Sequence, residues 1–192
     1  PSKGCYSKKM YYIRKIEEGQ WVDRQLHDAV SISDLRTLDN DISVWKDDGS
    51  VDVIKLALAF SLCTKNIKDL WCVKIPDKAL GKFKFHHAPS STPYLQCRSL
   101  HTNIVVPTLY EMGDLAEIIH QLIKNGKQIY ISEQEQKECF YNAVKADEIE
   151  MDFNDWKNQN FRKALAEMEG IYGQIDFSQL QNAKDSKKKK KK

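Results

Sequence analysis

The run at 51–64 constrains the fold more than any other stretch of the chain. Val51, Val53, Ile54, Leu56, Leu58, Phe60 and Leu62 leave hardly a side of a helix polar. A helix of that kind is enclosed by other elements instead of lying on a surface. The residues before it, 41–46, alternate Ile42 and Val44 against Ser43 and Trp45, as a strand does. Asp47-Asp48-Gly49-Ser50 makes a turn in which Ser50 is placed to cap the helix. After a loop at 65–68, residues 69–75 read as a second strand, stopped by Pro76. Strand, enclosed helix and strand in about 35 residues has the size of a βαβ unit.

Around this unit the pattern gives a further strand at 10–16, a short helical turn at 77–80, and strands at 82–86 and 101–106. Residues 88–98, with two prolines, two serines and a threonine, read as loop. Residues 17–40 show no clean period and leave room for one short helix. The second half turns helical. At 109–125 Met112, Leu115, Ala116, Ile119, Leu122 and Ile123 share one face, and Gly126 supplies a stop. A short extended piece follows at 127–131. Ser132-x-x-Glu135 is a capping box for a helix to about 146, striped by Phe140, Ala143 and Val144. A last helix starts at Asn154 or Asp155, buries Phe161, Ala164, Leu165 and Met168, and ends at Gly170.

The expected class is α+β: a small mixed sheet with a βαβ-like unit in the N-terminal half and a helical C-terminal half. Residues 10–108 and 109–174 form the α/β and helical parts of one domain, as 192 residues suit one core. An unstructured leader (1–9) and a disordered lysine-rich tail (175–192) flank it.

Charge is unevenly spread. The formal net charge of +3 includes six lysines at 187–192, so the rest of the chain carries −3. Leaving out Lys3, Lys8 and Lys9 as well brings it to −6. An acidic body argues against a core that grips nucleic acid, since such affinity rests on neutralising phosphates. Only weak contact through the tail is expected. The five cysteines stand singly, with no Cys-x-x-Cys pair, which fits reduced thiols and a cytoplasmic location. The longest apolar stretch, 51–63, is broken by Asp52, Lys55 and Ser61 and is too short to span a bilayer, so no membrane contact is expected.

Several residue groups carry chemistry in other proteins. His86, His87, Cys97 and His101 are zinc-ligand types, but they lack the two tight pairs of a structural site, and no metal is expected. The acids Asp147, Glu148, Glu150, Asp152 and Asp155 have no glycine for an EF-hand turn and read as a solvated linker anchored by Ile149, Met151 and Phe153. His27 and Asp28 are adjacent only in sequence. No nucleophile elbow, Walker loop or dinucleotide-binding glycine turn is present. His120 reads as a core-edge histidine, and Trp71 as core.

In order along the chain, Arg14 on an early strand, Ser43 on a later one and Glu133-x-Glu135 distantly resemble ADP-ribosyltransferases. The resemblance implies an Arg that contacts the dinucleotide, a Ser that shapes the site, and a Glu that stabilises the ribosyl cation. It gives an enzymatic alternative built on Arg14, Ser43 and Glu135.

With no catalytic signature, the leading expectation is a non-enzymatic interaction module or accessory subunit of a cytoplasmic complex, with no cofactor. Its partner is a protein or a second copy of the chain. Trp45 is the expected contact residue: it alternates with Ile42 and Val44, and an uncovered sheet face would leave it exposed.

Overall fold

A computed structural model describes residues 9–17, 21, 34–35 and 41–177. The leader at 1–8, most of 17–40 including His27 and Asp28, and the tail from 178 onwards lie outside the described residues.

Among the described residues the strands are β1 (Tyr11–Ile16), β2 (Asp41–Asp47), β3 (Leu70–Pro76), β4 (Lys84–His86), β5 (His101–Val105) and β6 (Gln128–Ile131). They form one sheet in the order β4-β5-β2-β1-β3-β6, with every neighbouring pair antiparallel. The helices are α1 (Val53–Cys63), α2 (Leu109–Lys124), α3 (Glu133–Lys145) and α4 (Gln159–Tyr172). The protein is α+β, with the sheet in its N-terminal half and helices concentrated in the second.

The βαβ-like unit is there in split form. β2 and β3 each pair antiparallel with β1, so they run in the same direction with β1 between them, and α1 carries the crossover. Ile13 therefore faces Trp45 on one side and Lys74 on the other.

Alternation along these strands feeds two cores. Ile13, Trp45, Leu70 and Cys72 point to the face covered by α1, α3 and α4. Tyr12, Ile16, Ile42, Val44, Val73, Ile75 and Ile104 point to the face covered by α2, with Trp21 and Leu35. α1 touches β1, α3 and the 3-10 segment Leu95–Leu100, which is why Leu56, Ala57, Leu58, Ala59, Ser61 and Leu62 are all buried. Its one buried polar side chain is satisfied: Ser61 Oγ donates to Gln136 Oε1 at 2.6 Å, and Gln136 Nε2 donates to the Lys68 carbonyl at 2.6 Å.

Both faces being covered corrects the expectation for Trp45. It is 4 % exposed, packed in the core with its ring edge-on to His101 at 4.9 Å between centroids. Trp71, expected as core, is only partly buried and sits beside Tyr130, ring centroids 5.1 Å apart. His120 is buried against Trp21, centroids 4.9 Å apart.

Helix ends shift by a few residues for stated reasons. Asp52, not Ser50, caps α1, its carboxylate accepting the Ile54 N–H at 3.0 Å. The Ser132/Glu135 capping box opens α3 as expected, and Thr108/Glu111 forms a second one on α2. At the last helix Asp155 instead caps a 3-10 turn, Trp156–Asn158, before α4 begins. α4 passes through Gly170 and stops at Gly173, whose φ of 98° lies in the left-handed region that favours glycine. The presumed loop at 88–98 is partly the 3-10 segment Leu95–Leu100.

Candidate functional site

The residues with ligand or catalytic chemistry are mostly committed to holding the fold together. His86 Nδ1 lies 3.1 Å from Asp41 Oδ2, which also accepts from Asn103 Nδ2 at 3.1 Å. The His101 ring bonds through Nδ1 to the Ala88 carbonyl. Cys97 is buried and directs its thiol to the Lys55 carbonyl at 3.6 Å. His87 is exposed. Three of the four zinc-type residues thus take different partners, and no group of three or more metal-ligand side chains occurs among the described residues.

Arg14 sits on the α2 face, where β1 alternation puts it with Tyr12 and Ile16. Its guanidinium donates to the Ser43 carbonyl at 3.3 Å and the Asp34 carbonyl at 3.1 Å. The structure therefore brings Arg14 to the Ser43 backbone, while the Ser43 hydroxyl points elsewhere, to Asn103 Oδ1 at 3.4 Å. Glu135 is not near them. It stands at the start of α3, on the opposite face of the sheet, with Oε2 accepting from Ser132 N and Oγ at 2.8 and 2.7 Å. Those two bonds hold its carboxyl below the ordinary range. Glu133 pairs with Lys137 at 2.6 Å. Arg14 and Glu135 have the sheet between them.

The acidic run is tied in more firmly than a solvated linker would be. Glu148 accepts from Tyr94 Oη at 3.0 Å, Gln96 Nε2 at 2.5 Å and Lys55 Nζ at 3.3 Å. Glu150 pairs with Arg98 at 2.7 Å. Together they clamp the segment around Tyr94 against α1, and backbone bonds from Leu95 N to Glu148 O and from Glu150 N to Pro93 O close the seam. Met151 and Phe153 anchor the run as expected, and Ile149 is buried. Cys97 and Cys139 border this network, and burial pushes their thiols up to about 12 and about 11. Buried, protonated thiols are poor nucleophiles.

Two clefts remain open at the sheet ends. The first, about 490 Å³, lies at the end of β1 beside Trp71 and Tyr130, where Lys15 is ion-paired to Glu17 and Asp69 accepts the Glu133 N–H at 2.8 Å. The second, about 440 Å³, lies where the α2–β6 turn passes the start of β1. Tyr11, Pro76, Leu122 and Ile129 form its walls, and Lys74 and Lys127 its rim. Lys74 is fixed, its ammonium 2.6 Å from Asp47 Oδ2 and 4.5 Å from the Tyr11 ring centre. Gln128 also lines it, and its side-chain oxygen is buried with no hydrogen-bond partner among the described residues. Tight α2–β6 passage depends on Gly126, at φ 64°.

Large apolar side chains also stand in solvent. Leu109 and Tyr110, the first two residues of α2, are 75 % and 89 % exposed, and Trp156 is 79 % exposed. Strand alternation could not have found them. Leu109 and Tyr110 precede the buried stripe of α2 by a turn, and Trp156 falls on a 3-10 turn with no burial pattern of its own.

Comparison with protein-family profiles, with curated proteins and with solved structures found no match to this chain. No helix among the described residues is long and apolar enough to cross a membrane.

Proposed function

We propose that the chain is a non-enzymatic protein-interaction module or accessory subunit, acting in the cytoplasm. The observation that carries the reading is the exposure of Trp156 and of the Leu109–Tyr110 pair, the three most exposed of the large apolar side chains among the described residues. Aromatic side chains lose little conformational freedom on docking and supply large contact areas, which makes them the commonest anchors of protein interfaces. Two exposed aromatics and an exposed leucine supply anchors of that kind. The engagement of Arg14, His86, His101, Cys97 and Glu135 in internal hydrogen bonds, without a cavity shared by all of them, supports the same reading.

The test is purification of the full chain from its own host, followed by size-exclusion chromatography with mass detection. A stoichiometric partner or a second copy should co-elute with the wild type and be lost from Trp156→Ala or Tyr110→Ala. Both variants should keep the wild-type denaturation midpoint, since neither side chain is buried. A monomer with no bound partner in every case would sink the proposal.

A further inference from the structure

From the geometry of the second cleft we infer that it is a binding site for a small amphipathic anion: an aryl or alkyl body carrying a carboxylate, sulfonate or phosphate. Its volume of about 440 Å³ falls within the range of small-molecule sites, roughly 300–1,000 Å³. The walls are suited to an apolar body, since Tyr11, Pro76, Leu122 and Ile129 line the space.

The rim is suited to an anion. Strand register puts Lys74 on the same face as Ile13, and its side chain is partly exposed. Asp47 and the Tyr11 ring hold the Lys74 ammonium in place. Lys127 adds a second cation and has no acidic partner among the described residues. Two lysines against one aspartate make the rim locally positive on a body whose formal charge, without its two lysine-bearing ends, is −6. That local charge attracts an anion to the rim.

The test uses the full native chain and two probes with the same aromatic body: 8-anilinonaphthalene-1-sulfonate, and N-phenyl-1-naphthylamine, which lacks the sulfonate. Calorimetry should give one site for the anionic probe, with affinity falling as salt is raised. Lys127→Glu should weaken it tenfold or more with an unchanged near-ultraviolet circular dichroism spectrum. Lys163→Glu, the same charge change at an exposed position of α4, should leave affinity within twofold. The neutral probe should bind at least tenfold more weakly than the sulfonate. No saturable binding, binding indifferent to Lys127→Glu, an equal loss with Lys163→Glu, or equal affinity for the two probes would each overturn the inference.

Discussion

The two faces of the sheet are covered in different ways. On one, α1, α3 and α4 form a layer in which helix packs against helix as well as on strands. On the other, α2 is the one helix described along its length, joined by Trp21 and Leu35. The difference is visible in the helices themselves. α1 has neighbours on three sides and is apolar nearly all round, whereas α2 faces water on its outer side and carries a single stripe of Met112, Leu115, Ala116 and Ile119. A crowded layer needs internal polar ties such as Ser61–Gln136–Lys68 to satisfy the backbone and side-chain groups it seals off. The α2 face has ties of its own, from Arg14 to the Ser43 and Asp34 carbonyls and from Trp21 Nε1 to Asp34 Oδ2.

If the two layers are separate in energy, cavity mutations in them should add. Leu58→Ala in α1 and Leu115→Ala in α2 each remove a fully buried side chain. Each should cost about 2–5 kcal/mol in chemical denaturation. The double variant should match the sum of the two to within about 0.5 kcal/mol, as for distant sites without shared partners. A large coupling would mean that the sheet transmits strain between the layers, and the comparison would fail.

The polar tie in the crowded layer should be worth less than either cavity. Ser61→Ala removes the donor to Gln136 Oε1 and leaves that buried oxygen without it. The expected loss is about 1–3 kcal/mol, the usual cost of stranding a buried polar group. Gln136→Leu combined with Ser61→Ala should recover part of it by removing both ends of the pair. If the single variant is neutral, the tie is incidental to the layer.

The smallest effect is confined to alkaline pH. Burial pushes Cys72 and Cys97 up to about 12 and Cys139 to about 11, against an ordinary thiol value of 9.0. The folded chain therefore keeps these protons after the unfolded chain has lost them. That contribution to stability is complete below pH 9 and is lost as pH rises towards 11–12. Denaturation midpoints should be flat in this respect near neutrality and fall above pH 9. Replacing the three thiols with alanine or serine should flatten that slope. Exposed Cys63, by contrast, should be the first of the four described cysteines to react with a thiol reagent.

Much of this architecture was legible in the sequence because it rests on local rules. Alternation located β2, the Tyr and Ile content of 10–16 located β1, the capping box located α3, and the all-round apolar run located α1. Trp45 shows where local rules stop. Alternation placed it correctly on the face opposite Ile42 and Val44, but whether that face was covered depended on α3 and α4 packing from nearly a hundred residues further on. The same holds for the network around Glu148: its three partners, at 55, 94 and 96, are distant in the chain, and nothing in the acidic composition of 147–155 announces them. The second cleft was illegible for a related reason. Lys74 and Lys127 meet only through the pairing of β3 with β6, strands more than fifty residues apart in the chain.

The split arrangement around β1 has a consequence for how the chain acquires its shape. β1 is complete at residue 16, but the strand on its second side, β3, is not complete until residue 76. At translation rates of roughly 5–20 residues per second, that leaves β1 exposed along one edge for about 3–12 s. During that interval Tyr12, Ile13 and Ile16 present apolar surface and unpaired backbone to the surroundings, which is the condition under which nascent strands pair with the wrong partner. The central strand of the finished sheet is thus the one that waits longest for its neighbours, and the cell has the most reason to shield it while it does.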